Sequence, residues 1–178
     1  MEILEKQKPA ERPSLEEVPR LDIVRENKRT RARDVILLTR LLIDALGKEE
    51  AGKQIKKARY EQAYQQGRQL AEKLGNPQEL DDYIEHIWIN QKMPWWVDPG
   101  VFLYRTKTKA VIRTSYKCYL FEGFRNQLTD DPELQKFLGD NYCVRDSGVA
   151  KGFLPKMKCT QTKSFFWGDP YCEWEFEV

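Results

Sequence analysis

The sequence predicts an α+β fold, in which N-terminal helices precede an antiparallel sheet of about four strands and one or two helices are inserted between the strands. Apolar residues recur every three or four positions as far as Trp88, which is the spacing of helices. Beyond Gly100 they alternate with polar residues, which is the spacing of strands. Helices followed by strands along one chain are typical of α+β domains.

The chain divides into an N-terminal arm and one domain. Residues 1–24 contain three prolines and many charges but no sustained apolar period, so they are predicted to be a flexible arm. Residues 25–178 are predicted to form a single α+β domain, because their length suits one hydrophobic core. The arm could pack across a neighbouring subunit, which makes a homodimer possible.

Three helices are predicted in the first half of the domain. The first covers about 30–46 and ends at Gly47, and the second covers about 49–74. Gly67 inside the second helix indicates close approach by another element. Asn76 and Pro77 are predicted to be the cap and first turn of a third helix, which continues to about Trp88.

The second half is predicted to contain the sheet. Two strands are joined near Thr106, and a helix starts close to Cys118. A further helix begins at Asp131-Pro132, and residues 140–155, which contain two glycines and no periodicity, are predicted to be a long loop. The stretch GDPY then joins two strands of a C-terminal hairpin in which Cys172 points inward.

Composition excludes several classes of partner. The 30 basic and 28 acidic residues give a formal charge of +2, so neither nucleic acid nor a membrane surface is indicated. The sequence has no apolar run of about 18 residues and no secretory leader, so a cytoplasmic protein is expected. Its four cysteines would remain thiols in a reducing compartment.

Several familiar catalytic motifs are absent from the sequence. His86 is the only histidine, which excludes any site that needs two imidazoles. The cysteines form no CxxC pair, and no GxSxG motif accompanies the histidine.

The strongest candidates for chemistry are cysteines at predicted element junctions. Cys118, Cys143 and Cys172 each stand where one element meets the next, and such positions can line a pocket. Arg145 and Asp146 follow Cys143 closely, and a neighbouring guanidinium would lower the pKa of a thiol toward that of a nucleophile. Alternatively, inward cysteines are simply small core residues.

Three segments carry a family resemblance, namely TSYKCYLFEGF, FLGDNYCVRD and TQTKSFFWGDPYCEWEFEV. With the N-terminal helix pair they resemble the 2-amino-thiazoline-4-carboxylic acid hydrolase family over roughly residues 30–178. The closing G-D-x-x-C-x-x-x-F, from Gly168 to Phe176, also resembles the end of vinyl-reductase-like ligand-binding domains. The positions that the resemblance singles out are Cys118, Cys143, Asp146, Asp169 and Cys172.

The resemblance implies opening of a small sulfur- and nitrogen-containing ring by attack at the carbon between the two heteroatoms. Asp146 would position or deprotonate water, and a thiol among Cys118, Cys143 and Cys172 would act as nucleophile or protonate the leaving sulfur. Arg113 or Arg145 would bind the substrate carboxylate. No cofactor is expected, although the same three cysteines with one carboxylate would also suit zinc.

Two other functions remain open at this point. A non-catalytic small-molecule-binding or sensory module of the vinyl-reductase-like kind would use Trp95, Trp96, Phe102 and Tyr104 to wall an apolar cavity. In the enzyme, Trp95 would instead wall the substrate pocket. A structural dimer subunit would have neither a pocket nor a reactive thiol.

Overall fold

The structure is a computed structural model that describes residues 18–89, 101–114 and 118–178. Within these ranges the α+β class is confirmed, because helices precede a four-stranded antiparallel sheet. A π-helical turn, Glu85–Ile89, follows the third helix, and a 3₁₀ turn, Phe165–Trp167, follows the third strand. The regular elements in chain order are α1 (Val18–Leu46), α2 (Lys48–Lys73), α3 (Leu80–Ile84), β1 (Val101–Arg105), β2 (Lys109–Thr114), α4 (Tyr119–Gln127), α5 (Pro132–Tyr142), α6 (Arg145–Phe153), β3 (Lys158–Lys163) and β4 (Cys172–Glu177).

The sheet has the order β1-β2-β4-β3, with antiparallel pairing throughout. The predicted C-terminal hairpin is therefore confirmed as the pair β3 and β4. Ile112 lies opposite Trp174 in register, and all three inward residues of β4 are buried, including Cys172 at 9% exposure. The strict alternation of β4 thus turns one apolar face to the core and leaves the glutamates on the other face.

Helix α1 begins earlier than the sequence predicts. It starts at Val18, so the prediction of a flexible arm is wrong for residues 18–24, while residues 1–17 lie outside the described ranges. Pro19 falls in the first turn, where the missing N–H of proline costs no helical hydrogen bond. No described helix is long and apolar enough to cross a membrane.

Helix α3 begins later than predicted, at Leu80 rather than near Pro77. Glu79 caps it through a reciprocal arrangement in which its backbone N donates to Asp82 Oδ2 at 3.3 Å. Asn76 instead belongs to the end of α2, where it adopts a φ of 58° and donates its backbone N–H to Ala71 O at 2.7 Å. Asparagine tolerates this left-handed conformation, so the residue closes one helix rather than opening the next.

The predicted loop at 140–155 is wrong, because this stretch contains the end of α5 and all of α6. Its glycines do not break the helix; they are the positions where α6 packs closely against α2. A Cβ at Gly148 would lie 2.7 Å from Tyr60 O, and one at Gly152 would overlap Tyr64 O. Gly67 on α2 approaches the Val149 carbonyl in the same way, as predicted. Three helices are therefore inserted between β2 and β3, not one or two.

Two hydrophobic clusters form the interior. One packs α2, α3 and α6 against the sheet around Tyr83, Phe153 and Phe176. The other lies between α1, α4 and α5 around Phe124 and Leu138. The Cys143 side chain packs against both clusters, which places this thiol at the junction of the helical layer and the sheet.

Candidate functional site

A cavity of about 460 Å³ lies beside this junction. Its volume is within the range of about 300–1,000 Å³ that is typical of small-molecule sites. The cavity is formed by α2, the end of α5, α6 and the C-terminal hairpin. It is lined by Lys56, Tyr60, Gly139, Asp140, Cys143, Val144, Ser147, Gln161, Trp167 and Trp174.

A second depression of about 220 Å³ lies between α1 and α5, away from the cysteines. Its charged walls are already paired: Arg40 binds Asp131 at 3.3 Å and Lys48 binds Glu133 at 3.2 Å. The cavity beside Cys143 offers chemically active groups and is the better candidate site.

Helix ends place the predicted cysteines. Cys143 caps the C-terminus of α5, and Cys118 caps the N-terminus of α4, where its Sγ accepts a hydrogen bond from Phe121 N at 3.5 Å. Cys172 opens β4. Cys118, Cys172 and Asp146 are all close enough to act electrostatically on the Cys143 thiol. The structure thus brings the four predicted catalytic residues into one region, of which Cys143 lines the cavity.

The predicted lowering of thiol pKa values is wrong for this region. Burial raises the pKa of the Cys143 thiol well above its usual range, and burial also raises that of Cys172 to about 11. Arg145 does not offset this effect, since its Nη1 donates to Asp146 Oδ1 at 3.2 Å. Both thiols are therefore neutral at physiological pH, and Cys143 is better suited to donate a proton than to attack as a thiolate.

We expect Cys143 in the folded protein to react with iodoacetamide at least about tenfold more slowly than free cysteine at neutral pH. The thiolate is the reactive form, and each pKa unit lowers its population about tenfold. Peptide mass spectrometry over a time course measures the rate, with urea-unfolded protein as the control in which all four thiols label alike. Rapid labelling of folded Cys143 would contradict this description of the thiol.

Asp146 lies in the first turn of α6 next to the cavity-lining Ser147. Burial raises the pKa of its carboxyl group, although the charges of Arg145 and Arg59 partly oppose the shift. A carboxylate with a raised pKa is a stronger base than an ordinary aspartate.

Asp140 is the carboxylate on the cavity wall, but its two oxygens accept hydrogen bonds from Trp167 Nε1 at 2.8 Å and Lys136 Nζ at 3.0 Å. Asp146, which is next to a lining residue but not on the wall itself, is therefore the carboxylate considered as a general base.

Arg59 was not identified from the sequence. It projects from α2, its guanidinium lies 4.2 Å from the centre of the Tyr142 ring, and its charge acts on both Cys143 and Asp146. These contacts depend on the crossing of α2 and α6, which the sequence did not predict. The sequence held only a weak signal for Lys56 and Tyr60 as cavity residues. They are four positions apart and therefore share one face of α2.

The residues predicted to bind substrate are not brought together. Arg113 lies on the outer face of the sheet, where it binds Glu173 at 2.8 Å and covers the Tyr171 ring at 4.0 Å, so its assignment to the site is wrong. Arg145 contacts Asp146 but does not line the cavity. Trp95 lies outside the described residues, as does Trp96.

Other aromatic and turn residues have structural roles. Phe102 and Tyr104 lie on β1 and do not line the cavity, so they do not form the predicted apolar wall there. Asp169 closes the hairpin turn: its Oδ2 accepts from Ser164 N at 2.9 Å and its own N donates to Ser164 O at 3.1 Å.

The described residues do not form a metal centre. No group of three or more His, Cys, Asp or Glu side chains among them converges in a way that could hold an ion. The alternative of zinc bound by Cys118, Cys143 and Cys172 is therefore not supported by this geometry.

Comparisons with known proteins give one match by sequence family and one by structure. The sequence profile described as L-2-amino-thiazoline-4-carboxylic acid hydrolase matches residues 27–176. No curated protein matches the chain. The crystal structure of a trafficking protein particle complex subunit 3 from Naegleria fowleri, covalently bound to palmitic acid, is similar with a TM-score of 0.56 and 20% identity, covering 85% of this chain and 94% of that one. At this identity the likeness shows the fold alone.

Proposed function

Since the chain belongs to the L-2-amino-thiazoline-4-carboxylic acid hydrolase family, we propose that it hydrolyses a small heterocycle of the 2-amino-thiazoline-4-carboxylate class in the cavity beside Cys143. The observation that carries this proposal is the combination of a neutral thiol on the cavity wall and a nearby carboxylate of raised pKa. Ring opening needs a base for water and an acid for the leaving sulfur, and these two groups match those roles.

The proposed reaction consumes one water molecule. Asp146 takes a proton from water, whose oxygen forms a bond to the ring carbon between nitrogen and sulfur. The carbon–sulfur bond then breaks, Cys143 gives its proton to the departing sulfur, and Asp146 returns the first proton to Cys143. Breakage of the carbon–sulfur bond restores the double bond to the ring nitrogen, and the hydroxyl proton then moves from oxygen to that nitrogen. The product is therefore N-carbamoyl-cysteine with a free thiol.

The cavity wall carries one cation, Lys56, one carboxylate, Asp140, and two indole rings, which suits a small, flat, polar substrate. Lys56 supplies a cation for the carboxylate, and Trp167 and Trp174 supply flat apolar surfaces for the ring. Tyr60 offers a hydroxyl group. Gln161 Nε2 is shielded from water and has no hydrogen-bond partner, so it is available to an acceptor once the amide turns toward the cavity.

Lys56→Met is expected to raise KM about fivefold to tenfold with little change in kcat. A charge that holds the substrate carboxylate equally in the ground and transition states contributes uniform binding, and a partly exposed ion pair is worth about 1 kcal/mol. Steady-state kinetics measure this effect. Lys57→Met is the matched control, because Lys57 is exposed on the same helix and does not line the cavity. Equal KM values for the two variants would remove Lys56 from the binding site.

The activity itself is tested by incubating purified protein with 2-amino-thiazoline-4-carboxylate and quantifying N-carbamoyl-cysteine and free thiol. Cys143→Ser is expected to lower kcat, because a serine hydroxyl protonates the leaving sulfur less readily than a neutral thiol. Cys159→Ser removes a thiol that lies on β3 outside the cavity lining and serves as the control. Circular dichroism confirms that each variant is folded. Absence of turnover by folded wild-type protein would overturn the proposal.

A non-catalytic small-molecule-binding module is the second candidate, since a cavity with Trp167 and Trp174 on its wall would hold a ligand without any chemistry. It predicts that the substrate changes tryptophan fluorescence without being turned over. The similar structure carries covalent palmitic acid, but the polar groups of Lys56, Tyr60 and Gln161 suit a small polar ligand better than an acyl chain. Intact mass measurement of the purified chain detects any acyl group.

A further inference from the structure

The two tryptophans of the cavity wall lie at different depths. Trp174 is 3% exposed and belongs to the buried face of β4, whereas Trp167 is 45% exposed. Trp167 is therefore the tryptophan at the open side of the cavity. A single exposed aromatic residue needs no explanation by itself. Trp167 differs from an ordinary surface residue because both its backbone and its ring are held in place.

The backbone of Trp167 is fixed by the packing of its neighbour. Trp167 ends the 3₁₀ turn Phe165–Trp167. Phe166, in the middle of that turn, is buried against the Phe121 ring, with the ring centres 5.0 Å apart. Gly139 on α5 permits this approach, because a Cβ there would overlap Phe166 Cβ. The turn therefore packs directly against the end of α5, and the Trp167 side chain starts from a fixed position.

The indole ring of Trp167 is held by a carboxylate at the end of α5. Trp167 Nε1 donates to Asp140 Oδ1 at 2.8 Å, and Lys136 Nζ donates to Asp140 Oδ2 at 3.0 Å. A hydrogen bond to a charged acceptor is stronger than one between neutral groups. Both Asp140 and Trp167 line the cavity, so the ring is fixed to the wall itself. A side chain that is already ordered loses less entropy when a ligand packs against it.

We propose that Trp167 stacks on the ring of the substrate and selects flat rings over puckered ones, with Asp140 as the positioning residue that holds the indole for this contact. This role rests on the proposed function, since the ligand is taken to be a 2-amino-thiazoline-4-carboxylate-like ring. The carbon between nitrogen and sulfur in such a ring is trigonal, so this part of the ring is flat and suits offset stacking on an indole. Its amidine group is also basic, and the face of an indole attracts the flat cation that protonation produces.

Two unreactive probes test the stacking contact. Thiazole-4-carboxylate and thiazolidine-4-carboxylate carry the same ring atoms and the same carboxylate, but the first ring is flat and the second is puckered. Trp167→Leu is expected to raise the dissociation constant of the thiazole about tenfold and that of the thiazolidine less than about threefold, because leucine is apolar but has no flat face. Titration calorimetry measures both constants.

The matched control for this substitution is Tyr104→Leu. Tyr104 is an aromatic residue of similar exposure, 46%, but it lies on β1 and does not line the cavity. Its substitution is expected to leave both dissociation constants unchanged. Equal losses for the two probes in Trp167→Leu, or no binding of the thiazole by wild-type protein, would overturn the proposal.

A double-mutant cycle tests the positioning role of Asp140. Trp167→Phe keeps a flat ring but removes the donor, and Asp140→Ala removes the acceptor. Each is expected to raise the dissociation constant of thiazole-4-carboxylate about threefold, and the double variant should lose no more than either alone, because both changes remove one hydrogen bond. Lys136→Met is the control, since Lys136 is an exposed partner of Asp140 outside the cavity lining. An additive loss would mean that Asp140 contacts the ligand itself and would overturn its positioning role.

These binding measurements need no turnover, so the stacking contact and the hydrolase activity can fail separately. A selective loss of thiazole affinity in Trp167→Leu, in a protein that does not hydrolyse 2-amino-thiazoline-4-carboxylate, would overturn the activity and support the contact. Turnover by wild-type protein together with equal losses for the two probes would support the activity and overturn the contact. Urea unfolding of each variant confirms that the affinities are those of folded protein.

Discussion

Asp146→Asn is expected to lower kcat/KM for 2-amino-thiazoline-4-carboxylate at least about a hundredfold, because general base catalysis typically contributes factors of about 10² to 10⁴. The amide keeps the shape of the carboxyl group and still accepts a hydrogen bond from Arg145 Nη1, which lies 3.2 Å from Oδ1. Loss of activity would therefore report loss of the base rather than loss of the helix that carries it.

The pH dependence gives this substitution a second readout. The base must be ionised, so wild-type activity is expected to rise with pH through the raised pKa of Asp146 and then to level off. Because burial holds the pKa of Cys143 well above its usual range, deprotonation of this thiol should not lower activity at moderately alkaline pH. The rising limb should vanish from any residual activity of the Asn variant.

The same substitution is expected to raise stability at neutral pH. A carboxyl group whose pKa is higher in the folded than in the unfolded state binds protons more tightly when folded, so its contribution to stability falls as pH rises through the interval between the two pKa values. Asparagine carries no such charge. The stability difference between the two proteins should therefore disappear below the usual pKa range of aspartate. Denaturant unfolding at acid and neutral pH measures it, and an active or destabilised Asn variant would contradict the assignment.

Gly152→Ala is expected to destabilise the fold by about 2–4 kcal/mol, since it introduces a methyl group where α6 touches α2. The new Cβ would overlap the Tyr64 carbonyl oxygen, and a backbone atom of a packed helix cannot turn aside as a side chain can. The two helices would have to separate. Because their crossing places Ser147 of α6 and Tyr60 of α2 on the same cavity wall, activity should fall together with stability.

Gly52→Ala is the matched control for this prediction. Gly52 is also buried, near the start of α2, but a Cβ there would meet the end of the Asn141 side chain, with Oδ1 at 3.1 Å. A small side-chain shift relieves that contact, and alanine favours the helix by about 1 kcal/mol relative to glycine. Urea unfolding is expected to show a large loss for Gly152→Ala and little change for Gly52→Ala. Equal effects would mean that the α2–α6 contact is looser than described.

Much of the fold could be predicted because its signals are local. The alternation of β4, the turn at Gly168, the helix start near Cys118 and the helix start at Asp131-Pro132 all depend on residues close in sequence, and each is confirmed. Helix α6 was missed because Gly148 and Gly152 look like helix breakers when their partner is unknown. Only the tertiary contact with α2 shows that they are packing positions.

The candidate site was predictable only in part, for a related reason. Cys118, Cys143 and Cys172 do lie at the ends of elements, as the sequence predicts, but their role in a site stays a prediction. The pKa values of the Cys143 and Cys172 thiols could not be predicted, because they depend on burial, which is set by long-range packing. The effect of burial on these thiols is larger than that of a guanidinium close in sequence. Arg113 was misassigned because a strand alternates between faces, and its side chain falls on the outer one.

Product-resolved turnover in isotopically labelled water tests the central claim most directly. Purified wild-type protein, Asp146→Asn and Arg113→Met are each incubated with 2-amino-thiazoline-4-carboxylate, and the product is analysed by mass spectrometry. The hydrolase proposal predicts one labelled oxygen in the carbamoyl group of N-carbamoyl-cysteine from wild type and Arg113→Met, and almost none of this product from Asp146→Asn. Loss of product in Arg113→Met with full activity in Asp146→Asn, or no product from any folded protein, would contradict it.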